Sequence, residues 1–417
     1  MSTDSSTGTL PEGWEHRELG ELVEISNEAG IPAVKRIMPF VGMEHVESET
    51  GKLLAYGDPS NYRSSSYIVD SKQVLYGRLR PYLNKVFIPK EKCYASREFI
   101  PMILKEELNQ QFLLHRLRSS EFVEFAISLN TGDRPRVKWP QMAKYSLLLP
   151  PQAEQQKIVE ILEEQLSRLD AALASVRVVR EKAAWFRRSL LHAAFTGALT
   201  GHDTETLPGG WTRSELQKFT RIKNGYAYKS SDWVVEGVPV IKIGNVGGGE
   251  VSLTTCSYIS VDLANESSEY SVSNGDFLIA LSGATLGNTG TYRHNVVARL
   301  NQRVAKIELN TDGYCHQKFL EYYFASPLAI RSIWEVAKGA AQPNISTKDI
   351  ARFIISLPPF AEQIKIVEIL EEQFSRLDAS LAVVDEVESR AAALRRSLLH
   401  AAFTGNLTKE WRENNYV

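Results

Sequence analysis

One 52-residue stretch occurs twice in this chain, and it limits the possible folds more than any other feature. Leu149 to Thr200 and Leu357 to Thr408 agree at 39 of 52 positions and lie 208 residues apart. The segments ahead of the two copies are far less alike. The chain is therefore two similar scaffolds carrying two different heads, a layout suited to reading two different things. A shorter echo sets Leu10 to Trp14 against Leu207 to Trp211, each followed closely by a Glu-Leu pair (Glu18-Leu19 and Glu215-Leu216). Its offset is 197, so the second head is longer by 11 residues, inserted within the variable part. A period near 200 is a domain duplication and not a solenoid. At 417 residues, two or three domains are expected.

Four segments follow: a head at 1–150, a helical region with its linker at 151–206, a second head at 207–358, and a second helical region with a tail at 359–417. Both repeats start after Pro-Pro with Ala-Glu-Gln, an acid and an amide placed where a helix start favours them. Apolar residues then recur in steps of three and four: Ile158, Leu162, Leu166, Leu169, Leu173, Val176, and Ile366, Leu370, Phe374, Leu377, Leu381, Val384. That narrow seam is coiled-coil spacing. Arg180 and Glu388 interrupt it, with Val179 and Val387, then Ala183 and Ala391, expected to resume it. Gly197 and Gly405 stop the helices. Glu154 to Phe195 as one helix spans about 60 Å. The simplest cover for each seam is the other copy, packed antiparallel about a pseudo-twofold axis, with a head at each end of the rod. The expected fold class is α+β multidomain: two mixed α/β heads separated by two long antiparallel coiled-coil helices.

Within the heads, short apolar runs punctuated by Gly, Asn, Asp and Pro read as strands: Val74 to Tyr76, Val86 to Ile88, Val238 to Ile243, Phe277 to Ala280 and Val304 to Ile307. One helix per head is expected, Asn109 to Ala126 and His316 to Val336. A closing strand follows in each, Tyr145 to Leu149 and Phe353 to Leu357. The polar tail from Lys409 to Val417 is expected to fray.

Composition is that of ordinary soluble protein, 43% hydrophobic and 24% charged, with a net charge of -2. Cys93, Cys256 and Cys315 lie far apart, with neither metal nor disulfide spacing, which fits a reducing cytoplasm with buried thiols. The start MSTDSSTGTLPEGW has no apolar core of signal length, and no run of about 18 apolar residues suggests a membrane span. No persuasive catalytic set is present. There is no phosphate-binding G-x-x-x-x-G-K-[ST], and Gly244 to Gly249 reads as a turn. The Asn/Asp-Pro-Pro-Tyr sequence that an amino-methyltransferase needs is missing. His192 and His400, in matching Ser-Leu-Leu-His-Ala-Ala-Phe contexts, read as packed or capping. Arg187-Arg188 and Arg395-Arg396 are open to three roles: phosphate contact, complement to a helix C-terminus, or docking of a partner protein.

The modest net charge conceals local basic runs. From Lys72 to Arg97 seven basic residues, Arg78, Arg80, Lys85 and Arg97 among them, face one acid, Glu91, with Tyr76, Tyr82 and Tyr94 interleaved. Arg134, Arg136 and Lys138 follow. The second head offers Arg293, Arg299, Arg303 and Lys306 with the amides Asn288, Asn295, Asn301, Gln302, Gln342 and Asn344. Cations neutralise phosphates, arginine forks onto guanine, and Asn or Gln onto adenine. From these runs the DNA-binding candidates are Arg78, Arg80, Tyr82, Lys85, Arg97, Arg134, Arg136 and Lys138 in head one. In head two they are Asn288, Arg293, Asn301, Gln302, Arg303, Gln342 and Asn344.

These motifs together resemble the specificity subunits of type I restriction-modification systems. The likeness rests on Leu-Pro-Pro-x-Ala-Glu-Gln followed by Lys-Ile-Val at 149–159 and 357–367, on Phe-Thr-Gly-x-Leu-Thr at 195–200 and 403–408, and on Leu-Pro-x-Gly-Trp at both head starts. Leu75 to Lys85 and Ala341 to Ser346 are similar to recurrent segments of target recognition domains. The resemblance spans nearly the whole chain. It implies that each head reads one half of a bipartite site in double-stranded DNA and that the helices act as a ruler for the spacer. It also implies docking of two methyltransferase subunits, for which Glu154, Gln155, Arg187 and Arg188 are candidates in one copy and Glu362, Gln363, Arg395 and Arg396 in the other. Restriction subunits would complete the assembly. No cofactor is expected on this chain, S-adenosylmethionine belonging to the methyltransferase partners, and the chain itself is expected to be non-catalytic. The alternatives are a coiled-coil scaffold with protein-binding heads, or an enzyme with an unrecognised site. Gly132 to Val137 differs from Ala340 to Ile345, so the two heads are expected to read different sequences.

Overall fold

The structure is a computed structural model. It describes residues 10–35, 37–129, 132, 134–203, 206–310, 313–338 and 342–416. The first nine residues, Thr204 and Glu205 of the expected linker, Asp133 of the Gly132–Val137 segment, and Ala340 and Ala341 of its counterpart lie outside the described residues.

The repeated stretches form two long helices, Gln152–Thr196 and Phe360–Phe403. Gly197 and Gly405 adopt positive φ, 88° and 78°, at their ends. The chain divides into two compact units. One holds Met1–Val176 with Val384–Val417, the other Arg177–Val383. Each unit thus combines one head with the beginning of one long helix and the end of the other.

In the first unit the contacts run antiparallel. Glu154 meets Thr408 and Arg412, while Asp170, further along its helix, meets Arg395. Ile158, Leu162 and Leu166 share a core with Leu399, Ala402 and Phe403, and both helices pack on Phe112, Leu113 and Leu117 of the head. The second unit repeats this pattern. Ile366, Leu370 and Phe374 join Leu191, Ala194 and Phe195 against Phe319 and Leu320. The seam buries Ile158, Leu162, Leu166, Leu169 and Val176 in one copy and Ile366, Leu370 and Phe374 in the other, while Leu173, Leu377, Leu381 and Val384 are half-buried, and its continuation differs from the expectation. Val179 and Val387 are exposed, while Arg180 and Glu388 are half-buried. The heptad step from Val176 to Ala183 passes through position 180, and geometry prevails over side-chain polarity because a long stem can lie in the seam with its head at the edge.

Each head is built on two sheets. In the first head, one sheet orders Val23–Ile25, Phe99–Leu104, Gln73–Gly77 and Val86–Phe87. The other orders Ala29–Gly30, Ser66–Val69, Cys93–Ala95 and Phe40–Val41. The second head keeps this plan, with Thr220–Asn224, Val304–Leu309, Phe277–Ala280 and Thr289–Thr291 in the corresponding order, extended to six strands by Gly249–Val251 and Val246–Gly247. Within the Gly-rich run at 244–249, Gly248 makes the turn of that hairpin between Val246–Gly247 and Gly249–Val251, Gly248 and Gly249 having φ of 64° and 83°. A small antiparallel pair closes each head, Glu15–Glu18 with Ser146–Leu149 and Thr212–Glu215 with Ile354–Leu357.

Four other expectations change. The single helix expected in each head is two: Gln110–Arg118 then Ser120–Ser128, and Gln317–Ala325 then Pro327–Ala337. Ser119 and Ser326 break them by capping the second helix, each hydroxyl accepting a backbone N–H three residues on. His192 and His400 are exposed, not packed. They sit on the outer helix face, where the His400 ring bonds Glu121. The tail does not fray: Lys409–Asn415 is helical and anchored through Arg412. Cys93 and Cys315 are buried, their thiols pushed up to about 12 by desolvation, but Cys256 is only half-buried. No helix among the described residues is long and apolar enough to cross a membrane.

Candidate nucleic-acid interface

Two basic clusters that lie more than fifty residues apart in the first head become neighbours in space. Gln73–Gly77 ends at Gly77, and the chain after it runs beside residues 135–137. The Arg80 N–H donates to the Pro135 carbonyl at 2.8 Å, the Val137 N–H donates to the Arg78 carbonyl at 2.9 Å, and Leu79 forms an antiparallel bridge with Arg136. A third strand end joins them, the Arg78 N–H donating to the Glu98 carbonyl at 2.8 Å. Arg78, Arg80, Arg136 and Glu98 are thus brought onto one backbone frame.

Within that frame Arg80, Arg134 and Lys138 are exposed and have no side-chain partner among the described residues. Arg136 pairs with Glu98 at 2.6 Å and keeps half its surface exposed. Arg97 stacks over the Tyr67 ring at 4.1 Å and donates to the Ser65 hydroxyl. Tyr82 is 48% exposed, enough to offer a ring face. Arg78 is half-buried, its Nε enclosed and without a partner. Lys85 is half-buried. Its ammonium donates to the Met43 carbonyl at 2.7 Å, and burial pulls its pKa down. The sequence reading missed Glu98, because an isolated acid beside a basic run gives no local sign of pairing with a residue 38 positions away.

The second head builds the same frame from different residues. The Gly283 N–H donates to the Pro343 carbonyl at 3.0 Å, the Ile345 N–H to the Leu281 carbonyl at 2.9 Å, and the Leu281 N–H to the Arg303 carbonyl at 2.9 Å; Ser282 bridges Asn344. Bond for bond, Leu281, Ser282 and Gly283 replace Arg78, Leu79 and Arg80. Arg303 replaces Glu98, and Asn344 replaces Arg136. The offset between matched residues grows along the head, from 197 at Trp14/Trp211 to 203 at Arg78/Leu281, 205 at Glu98/Arg303 and 208 at Val137/Ile345. The extra 11 residues are therefore spread over several loops and not inserted as one block.

Around this second frame lies an open groove of about 460 Å³ lined by Asn224, Gln302, Arg303, Gln342 and Asn344. Arg303 is steadied by the Ser282 hydroxyl at 3.3 Å, and Gln302, Gln342 and Asn344 are exposed. Asn301 is half-buried and turned back on its own loop, accepting the Arg303 N–H. Asn288 reaches the Val246 carbonyl at 3.5 Å, and Arg293 is exposed on a separate loop. Arg299 is buried and donates to the Ala264 and Ala298 carbonyls, and Lys306 pairs with Asp276 and Glu308. Those two cations are structural.

The docking candidates split in the same way. Glu154 and Gln155 are almost wholly buried, and their polar atoms are taken internally, so they are corrected from surface to joint. Glu154 accepts from the Trp14 indole, the Thr408 hydroxyl and the Arg412 guanidinium. Gln155 accepts the Asn109 N–H and donates to the Glu107 and Pro150 carbonyls. Glu362 accepts from Trp211, Thr200 and His202, and Gln363 bonds His316, Tyr314 and Pro358. Arg187 pairs with Asp378 at 2.5 Å over the Phe374 ring, and Arg395 pairs with Asp170. Arg188 and Arg396 remain exposed. The first turn of each helix carries internal work because the head's opening Trp and the end of the other helix converge on it.

Among the described residues no group of His, Cys, Asp or Glu is placed to hold a metal ion. What the frames can do is present cations and amides to a polyanion from rigid backbone.

Comparison with known proteins agrees. A family model described as the type I restriction modification DNA specificity domain matches residues 11–173 and 208–382. The EcoBI specificity subunit of Escherichia coli is 27% identical over 285 residues, covering 64% of this chain and 60% of that protein. The MjaVIII specificity subunit of Methanocaldococcus jannaschii is 21% identical and covers 95% and 94%. In fold, the chain is similar to one from a type I R-M system (TM-score 0.69, 22% identity, covering 96% of this chain and 100% of that one). The HsdS subunit from Thermoanaerobacter tengcongensis gives a TM-score of 0.50 at 22% identity, covering 96% and 99%. With two matches to one family model, one per head, this chain belongs to the type I restriction-modification DNA specificity family.

Proposed function

We propose that this chain reads a bipartite site in double-stranded DNA, one half per head, within a type I restriction-modification complex. The observation that carries this reading is the repeated frame: one hydrogen-bonded scaffold presents Arg80, Arg134, Arg136 and Lys138 in one head and Gln302, Arg303, Gln342 and Asn344 in the other. Identical scaffolds with unlike polar side chains suit two different half-sites. Phosphate neutralisation supplies affinity, and arginine forks with amide edges supply discrimination of about 1–3 kcal/mol per good base contact.

In this proposal the long helices set the unread spacer and offer their exposed faces, with Arg188 and Arg396, to two methyltransferase subunits. Restriction subunits join the complete complex. Methyl transfer from S-adenosylmethionine belongs to the partners, and this chain carries no catalytic step. Support comes from the continuity of each helix, the start belonging to one compact unit and the end to the other.

The test removes seven residues from each long helix at matched seam positions, 173–179 and 381–387. Helix rise shortens each by about 10 Å, worth about three base pairs of duplex. Selection from random duplexes with the full chain should return the same two half-sites with a spacer shorter by that amount. An unchanged spacer refutes the ruler, and enrichment of no split motif by the unmodified chain refutes the reading as a whole.

A further inference from the structure

Resting on that reading, we infer that the residue pairs Glu98/Arg136 and Arg303/Asn344 are the specificity dyads of the two heads, with Glu98 a positioning residue that aims Arg136 at guanine. One backbone hydrogen bond per head, 2.8 Å to the Glu98 carbonyl and 2.9 Å to the Arg303 carbonyl, fixes the first member of each pair at the same place on the frame, and two more with an antiparallel bridge place the second. Position is thus shared while chemistry is inverted. Head one has a carboxylate, which only accepts, beside a guanidinium, which only donates. Head two has a guanidinium at the first position beside an amide that does both.

The carboxylate decides how Arg136 acts. Glu98 Oε1 takes the Arg136 Nη2 at 2.6 Å, while Oε2 is enclosed with no partner. One edge of the guanidinium is therefore held, and the side chain, half exposed, has its remaining donors for a ligand. A guanidinium held in this way loses less conformational freedom when it forks onto the paired acceptors of guanine. Glu98 itself is not expected to touch a base, since its outer oxygen is occupied and its inner one enclosed.

In head two no acid stands at the corresponding place. Arg303 is steadied by the Ser282 hydroxyl at 3.3 Å and opens into the groove with Asn344. It reads guanine from the first position, and Asn344, exposed next to it, forks onto adenine. Each dyad thus contains one guanine-reading arginine, but on opposite members of the frame, so guanine falls at different places in the two half-sites.

The experiment is selection of bound sequences from random-core duplex DNA by the full chain, comparing wild type with Glu98→Gln, Glu98→Ala and the double exchange Glu98→Arg with Arg136→Asn. Wild type should return a split motif with a guanine column in each half. Glu98→Ala should lower the preference for guanine in half-site one by about tenfold, with Glu98→Gln intermediate because it still accepts from Arg136. The double exchange should move the guanine column of half-site one and create an adenine preference beside it. Half-site two, unchanged throughout, reports that each variant is folded. An unchanged half-site one, or uniform loss of half-site one with no change in base preference under any variant, overturns the dyad assignment. Absence of any split motif with wild type overturns the underlying reading instead.

Discussion

The two units close the first turn of their long helices with the same three side chains and differ in the fourth. In the first unit Glu154 collects the Trp14 indole at 2.9 Å, the Thr408 hydroxyl at 2.6 Å and a two-pronged contact from Arg412. In the second, Glu362 collects the Trp211 indole at 3.1 Å and the Thr200 hydroxyl at 2.7 Å, but its third partner is His202 at 2.9 Å. Glu154 is fully enclosed and Arg412 nearly so, whereas the Glu362 and His202 side chains are 18% and 34% exposed. The difference follows from where the chain goes next. After Gly405 the chain forms the helix Lys409–Asn415, which brings a guanidinium onto the carboxylate. After Gly197 it must lead into the second head, and a single histidine from the connecting segment takes that place.

The largest expected effect breaks this pair of joints unequally. Glu154→Ala leaves the enclosed Arg412 guanidinium without its counter-charge and the Trp14 indole N–H unpaired, which should cost the first unit about 3–5 kcal/mol. Glu362→Ala should cost the second unit about half as much, because His202 is nearer solvent. Thermal unfolding of the two variants, followed by intrinsic fluorescence, checks the ranking. Equal losses would mean that Arg412 adds nothing beyond what His202 supplies.

A second contrast is in acid. His115 in the first head is buried with Nε2 unpartnered, and desolvation, with the Arg118 and Arg395 charges, pushes its pKa down to about 3. Tyr322 stands six residues after its helix cap in the second head, as His115 does after Asn109. Between about pH 6.5 and 3 the unfolded chain takes up a proton at this ring that the folded chain refuses. The first unit should therefore lose about 1 kcal/mol per pH unit on acidification through that window, with no matching loss from the Tyr322 site. Denaturant unfolding at pH 7 and pH 5 measures it. His115→Leu should flatten the slope whatever it does to absolute stability, and a slope that survives this change assigns the effect elsewhere.

Glu121 sharpens the same contrast at lower pH. Burial works to raise its pKa, but bonds from His400, its own backbone and Ser119, with the Arg116 charge, hold it below 4.5. Its stabilisation is present above about pH 4.5 and is lost as pH falls through the depressed value. Leu328 holds the matching helix position, two residues past Ser326, and cannot titrate. Glu121→Gln should therefore narrow the difference in acid stability between the units, by less than the His115 effect.

The smallest expected change concerns the frame itself. Arg80 has φ 53°, a left-handed backbone that its counterpart Gly283 adopts freely at φ 74°. Arg80→Gly should keep stability within about 1 kcal/mol, relief of strain offsetting the added freedom of the unfolded chain. It should weaken only half-site one, and by less at higher salt. Equal weakening of both half-sites would show that Arg80 supplies general charge.

What could be read without coordinates was whatever repeats or has a period. The duplication, the leucine seam, the Pro-Pro helix starts and the Gly stops at 197 and 405 all came from local pattern, because a helix reports its face every three or four residues. Basic runs are visible as composition, and Arg80, Arg134, Arg136 and Lys138 within them are exposed. The same signal also gathered Lys85 and Arg299, which fold inward onto carbonyl groups. Tertiary structure alone decided that Glu154 and Gln155 are joints, that the tail is an anchor, and that Glu98 and Arg136 are a pair. Each of these depends on groups from distant segments meeting in one place. Chain order and periodicity fix which face of an element is apolar, but the partner of a buried charge is chosen only when separate elements close around it.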